Sequence, residues 1–201
     1  MRITGGVLKG RAVRVPPGII RPAMDRMRES VFAVLGDLNG ASFLDLFSGS
    51  GIIALEAASR GASPVEAVES DPLKRKIILD NSALAPASIR CRFMSSELYI
   101  KRARRSFDYI FCDPPFSYAH KKELLLLLEI SPLVSPGSLV LIHRPAPERL
   151  DRESFTALAL RETRRYGASA VDFFYRNDSP RPEGLKLPRA SGLLVLNPRT
   201  E

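Results

Sequence analysis

From Gly40 onward, short runs rich in apolar residues alternate with longer stretches in which apolar side chains recur every third or fourth position. SFLDLF (42–47), PVEAVE (64–69), IRCRFM (89–94), FDYIFC (107–112) and SLVLIH (138–143) have the length of strands. IIALEAASR (52–60), PLKRKIILDNSALA (72–85), SELYIKRARR (96–105) and HKKELLLLLEIS (120–131) carry the helical period, and Gly61 stands where the first of them would stop. Such alternation predicts a mostly parallel sheet with helices on both faces, because a parallel connection is long enough to need a crossover helix.

The two ends of the chain break this rhythm. RITGGVLKGRAVRV (2–15) places short β-like pieces around Gly5, Gly6 and Gly10, which predicts a small hairpin carrying Arg2, Lys9, Arg11 and Arg14, broken by PPG at 16–18. From Met24, the spacing of Met27, Val31, Val34 and Leu35 predicts a helix, with Gly36 at its stop and Asp25, Arg26, Arg28 and Glu29 on its polar face. LRETRRYG (160–167) and ASAVDFFYR (168–176) read as a hairpin around Gly167. Residues 177–201 are rich in proline and basic residues and are expected to form an irregular tail.

Composition adds a size and a partner. The 201 residues, 45% hydrophobic and 26% charged, suit one globular domain. Lysine and arginine number 30 against 22 acids, a net charge of +8, which points to a polyanionic partner. The longest apolar run, Leu124 to Leu128, is far too short to span a bilayer, and MRITGGVLKG has no signal-peptide core, so a cytoplasmic protein with no membrane partner is expected. Cys91 and Cys112 lie in strand-like runs, and His120 and His143 lack ligand-spaced neighbours; neither a disulfide framework nor a metal site is expected.

DLFSGSGIIA holds Gly49, Gly51 and Ala54 in G-x-G-x-x-A spacing, directly after a strand and opening a helix. Glycine lets a ligand approach the main chain, and the helix start offers free N–H groups. Glu69 follows Gly49 by 20 residues at the end of the next strand, where a carboxylate can accept from ribose hydroxyls. A dinucleotide would bring a pyrophosphate up against Asp45, just before the glycines. S-adenosylmethionine has no phosphate and carries an ammonium that an aspartate can bind. Its adenine is expected near the end of the third strand, around Met94 to Glu97.

FCDPPF (111–116) then sets two prolines between an aspartate and an aromatic at the end of the fourth strand. Alone, the string would serve as a strand-ending turn with Phe116 folded onto the core. Behind a glycine loop it suits methyl transfer to an exocyclic amino group of a base, whose lone pair is delocalised into the ring. The Asp113 side chain and the Pro114 carbonyl can accept from the amino protons, rigid Pro114 and Pro115 can hold those acceptors in place, and Phe116 can stack on the base.

Through MRITGG..KGR, RPAMDRMRESVF, FLDLFSGSGIIALEAASRGA, VESD, FDYIFCDPPF and YGASAVDFFYR, residues 1–176 resemble the bacterial 16S ribosomal RNA guanine-N2 methyltransferases. DLFSGSG and DPPF mark amino methyltransferases in general; the arginine-rich RPAMDRMRE is the more specific signature. The resemblance implies a Rossmann-like class I methyltransferase fold, α/β, with a mostly parallel seven-stranded sheet ending in a β-hairpin. It implies residues 1–22 as an N-terminal β-hairpin that binds RNA, 23–176 as the methyltransferase domain, and 177–201 as a tail. The implied reaction makes N2-methylguanine in 16S ribosomal RNA, in the small subunit or its assembly intermediate, by a monomeric enzyme using S-adenosylmethionine. The expected catalytic set is Asp113, Pro114, Pro115 and Phe116. Asp45, Phe47, Gly49, Ser50, Gly51, Glu69 and Ser70 are expected to bind the cofactor. Where such enzymes usually end the third strand in an aspartate, this chain reads MSSELYI, so Ser96 or Glu97 is expected at the adenine. Arg2, Lys9, Arg11, Arg14, Arg21, Arg26 and Arg28 are expected to bind RNA. Adenine-N6 methylation of DNA or RNA, a nicotinamide-dependent oxidoreductase, and an RNA-binding assembly factor without activity stay open as alternatives.

Overall fold

The structure is a computed structural model that describes residues 1–15, 22–150 and 155–176. The tail from residue 177, the PPG turn and Arg21 lie outside the described residues. In chain order the elements are α1 (Pro22–Leu35), β1 (Phe43–Leu46), α2 (Ile52–Ser59), β2 (Val65–Glu69), α3 (Arg75–Ser82), β3 (Ile89–Phe93), α4 (Ser96–Arg102), β4 (Tyr109–Cys112), α5 (Lys121–Glu129), β5 (Leu139–Pro145), β6 (Leu158–Tyr166) and β7 (Ser169–Arg176). They form one seven-stranded sheet of order β3-β2-β1-β4-β5-β7-β6. β1 to β5 run parallel, and the β6–β7 hairpin adds antiparallel to β5.

Apolar residues alternate between the two faces, so each face carries its own core. Phe43 and Phe111 pack with α1, α2 and α3, while Leu44, Leu46, Ile110 and Cys112 pack with α4 and α5. β1 is buried at all four positions, as expected of a central strand covered on both sides. The order turns around between β1 and β4, which are neighbours with Leu46 opposite Cys112. Ligands of open α/β sheets bind at such a reversal, beyond the carboxyl ends of the strands. Phe47 and Asp113 leave the sheet side by side there, and Asp113 N–H donates to the Leu46 carbonyl at 3.2 Å.

All four crossover helices are shorter than the periodicity predicts, α2 by a single residue, and the reason is visible in α3 and α4. The stretch from Pro72 opens as a single 3-10 turn capped by Asp71 before α3 begins. α4 ends at Arg102 because Ala103 turns extended (φ −60°, ψ 144°), which leaves Arg104 and Arg105 in the following loop.

Residues 1–13 fold back on themselves through a bridge between Arg2 and Ala12 and dock on the α1–α2–α3 face by burying Ile3 and Val13. Glu56 of α2, fully buried, accepts from Thr4 N–H, Gly5 N–H and the Thr4 hydroxyl, and pairs with Arg28 and Arg60. At Gly6 (φ 74°) a Cβ would lie 1.8 Å from the Ser59 carbonyl oxygen, so only glycine permits this approach. Among the described residues no helix is long and apolar enough to cross a membrane.

Candidate active site

The glycine loop folds around Asp45. Its Oδ2 accepts from the Ser48 hydroxyl at 2.5 Å and from Ala54 N–H, in the first turn of α2, at 3.1 Å. The loop changes direction through three left-handed residues, Phe47 (φ 63°), Gly49 (φ 58°) and Gly51 (φ 78°). Two are glycines, but Phe47 has a Cβ, and a bulky residue held there stores on the order of 1–3 kcal/mol. Its ring meets Tyr118 edge-on at 5.3 Å. At Gly51 a Cβ would come within 2.9 Å of the Ile78 side chain, so the loop also sets how closely α3 packs.

Glu69, at the end of β2, reaches back to the loop: Oε2 accepts from Gly49 N–H at 2.6 Å and Oε1 from Asp71 N–H at 2.8 Å. Ser70 follows it and is exposed. Ser50 is buried, and its carbonyl accepts from the Asn81 amide at 2.7 Å. Past β3, the Ser95 hydroxyl caps α4, and buried Ser96 is the first residue of that helix. Glu97 accepts from the Tyr118 hydroxyl at 2.5 Å, which ties the start of α4 to the segment after the prolines.

On the catalytic side, the Asp113 carboxylate lies 2.8 Å from His143 Nδ1. His143, on β5, is 3% exposed, and its Nε2 is buried without a partner. Phe116 stands edge-on to the His143 ring at 5.3 Å. Pro114 is buried and Pro115 exposed; the Pro115 carbonyl accepts from Tyr118 N–H at 2.8 Å. The Pro114 carbonyl accepts no hydrogen bond among the described residues. Lys121, buried at the start of α5, donates to the Phe116 and Tyr118 carbonyls and pairs with Glu148 at 3.0 Å. His143 and Lys121 escape sequence reasoning. The one sequence signal for His143 is that the strand-like run SLVLIH ends in it, as FDYIFC is followed at once by Asp113.

Asp45, Glu69 and Asp113 thus gather at one edge. Burial pushes the Asp45 carboxyl up to about 7, with smaller contributions from the Asp113 and Glu69 charges, and its Oδ1 is buried without a partner. Glu69 lies 3.6 Å from Lys74 Nζ and Asp113 2.8 Å from His143, which leaves Asp45 as the one of the three with a buried, unpartnered oxygen. Such a carboxylate beside a glycine loop favours a cationic ligand and repels a pyrophosphate. The ammonium and sulfonium of S-adenosylmethionine fit that environment.

The basic residues divide. Arg2, Lys9, Arg11 and Arg26 are exposed, with Arg2 donating to the Gly10 carbonyl. Arg14 is exposed and pairs with Asp80 at 3.0 Å. Arg28 corrects the reading of a polar helix face: it is 1% exposed, donates to Glu56 and the Arg2 carbonyl, and forms an ion pair with Asp25 at 3.0 Å. It sits in the stripe of Met27, Val31 and Phe32 that faces α2, so it is a buried partner of Glu56 and not part of the exposed face of the helix.

Residues 1–175 match the family described as conserved hypothetical protein 95. The chain is 32% identical over 147 residues to "Ribosomal RNA small subunit methyltransferase D" of Escherichia coli (strain K12), covering 71% of this chain and 74% of that protein. It is 29% identical over 182 residues to "Putative rRNA methyltransferase YlbH" of Bacillus subtilis (strain 168), covering 87% and 98%. Among solved structures it resembles "Putative methyltransferase yhhF from Escherichia coli", with a TM-score of 0.75, 28% identity and coverage of 88% and 97%.

Proposed function

This chain belongs to the conserved hypothetical protein 95 family, that of the small-subunit ribosomal RNA methyltransferases, and from that membership we propose that it methylates the exocyclic N2 amino group of a guanine in 16S ribosomal RNA. The observation that carries the reading is the Asp113 carboxylate, held by His143 at the strand-order reversal beside the glycine loop. S-adenosylmethionine, when bound, supplies an activated methyl group at that edge. The loop N–H groups, Asp45 and Glu69 hold its amino-acid and ribose ends, with Ser96 and the start of α4 toward the adenine. Asp113 and the Pro114 carbonyl accept from the two amino protons of the base, which localises the nitrogen lone pair and aims it. The proton shed when the nitrogen forms its new bond has the Asp113 carboxylate as nearest acceptor. Phe116, propped against His143, covers the ring. Rate enhancement of this kind rests on preset acceptors and orientation.

Guanine fits because its C2 amino group reaches both acceptors while the ring lies under Phe116; adenine in that pose has no amino group at C2. The working form is a cytoplasmic monomer acting on a folded ribosomal particle, since a domain of this size has little surface with which to read sequence. The test is to incubate the protein and labelled S-adenosylmethionine with unmodified small subunits, naked ribosomal RNA and duplex DNA, then digest to nucleosides. Label is expected in N2-methylguanine, most of it from the particle. Label in N6-methyladenine would overturn the guanine assignment, and label in no nucleic acid would overturn the activity.

A further inference from the structure

A second basic surface lies away from the N-terminal arginines, on the other face of the sheet. β3 is one of the two edge strands, and its Arg90 and Arg92 point to the α4 side, where Glu66 of β2 lies 2% exposed. Arg92 Nε is 3.2 Å from Glu66 Oε2, Arg90 and Arg105 lie at 3.8 and 3.7 Å from Oε1, and the Tyr99 hydroxyl donates to Oε2 at 3.0 Å. Arg105 also stacks on Phe107, 4.7 Å from its centroid. Arg102 and Arg104 approach from the end of α4 and the loop after it, with no carboxylate partner among the described residues. Five arginines over one acid therefore line a cavity of about 310 Å³.

Local needs explain part of this. Charged side chains guard an edge strand, which accounts for Arg90 and Arg92, and a helix C-terminus favours a cation, which accounts for Arg102. Neither explains why all five converge on one concavity, where each repels the others and a single buried carboxylate compensates one charge. A cleft lined by one sign concentrates counterions of the other, and guanidinium forks match phosphate oxygens two at a time.

The register places this cavity near the chemistry. Arg92 is in one row with Val68, Leu46 and Cys112, so it is one residue short of Asp113 along the strands and three strands across. At roughly 4.8 Å per strand that is about 14 Å, within one folded RNA but beyond a single nucleotide.

We propose that the Glu66–arginine cavity beside β3 is a second RNA-binding site, which grips phosphodiester groups flanking the target base. Glu66 is the template that holds Arg92, Arg90 and Arg105 in a fan, and Arg102 and Arg104 add free charge. The inference rests on the RNA-directed function proposed above, but its test does not depend on methyl transfer.

Retention of labelled 16S ribosomal RNA on filters is measured against salt for wild type and for Arg102→Gln/Arg104→Gln, a pair that leaves Glu66 its partners. A Lys76→Gln/Arg165→Gln control removes the same net charge elsewhere. If both arginines contact phosphates, the log–log slope falls by about two units, so the affinity lost between 50 and 200 mM salt shrinks by roughly tenfold. The control should keep the wild-type slope. An unchanged slope in the arginine pair, or an equal fall in the control, overturns the site. Melting curves of each variant establish that it is folded. A wild type that binds RNA with the expected slopes but transfers no methyl group would refute the activity and keep the site.

Discussion

Asp45 is the residue whose titration should be felt most. Its folded value of about 7 lies above the ordinary 3.8, so protonation stabilises the fold and the contribution is lost as pH rises from about 4 through about 7. Asp45→Asn should therefore gain stability relative to wild type over that window, by at most roughly 1.4 kcal/mol per pH unit, in urea unfolding without cofactor. The ionised form is the one that pairs with a cation, so affinity for S-adenosylmethionine should rise with pH through 7 in calorimetry, and this rise should vanish in Asp45→Asn. Asp113→Ala should lower kcat by about 10²–10³ with cofactor affinity unchanged, and Asp113→Asn should lose less. His143 acts through Asp113 as a positioning residue. His143→Ala should lower kcat roughly ten- to a hundredfold at constant KM, and His143→Asn, which keeps a donor near Nδ1, should recover most of it. Equal loss in both variants would show that the imidazole only fills space.

At the scale of elements, the strands and the glycine loop are legible because their signals are local. FLDL is solidly apolar, and the loop announces itself by glycines that the left-handed turns require. What fails is anything whose reason lies far along the chain. Arg28 reads as polar surface until Glu56, 28 residues later, is brought beside it on α2. His143 has no meaning until β5 pairs with β4 and sets it against Asp113, 30 residues earlier. Helix ends are lost for a similar reason: α4 stops at Arg102 so that the chain can enter β4, although the residues beyond have good helix propensity. Arg28→Ala should cost about 3–5 kcal/mol in urea unfolding, because it leaves a carboxylate buried with one cation fewer. It should leave the salt slope of RNA binding unchanged, unlike a phosphate contact.

For the whole molecule, the fold brings one acidic edge and two basic surfaces together, and the two respond to solution conditions in opposite ways. The acidic edge should take up S-adenosylmethionine as a native-state ligand and raise the melting temperature; at a hundredfold excess over Kd the gain is about 2.7 kcal/mol. NAD should give no shift, and stabilisation by NAD alone would sink the cationic-ligand reading. The basic surfaces should make the KM for ribosomal particles climb steeply with salt while kcat holds. Glu56 joins these parts in a particular order of synthesis. Thr4, Gly5 and Arg28 are all made before it, so the N-terminal segment leaves the ribosome with no acceptor to dock on and waits for α2. Until Glu56 has been made, the contacts that fix Thr4, Gly5 and Arg28 to α2 cannot form, and Ile3 and Val13 lack the α2 part of the core that covers them.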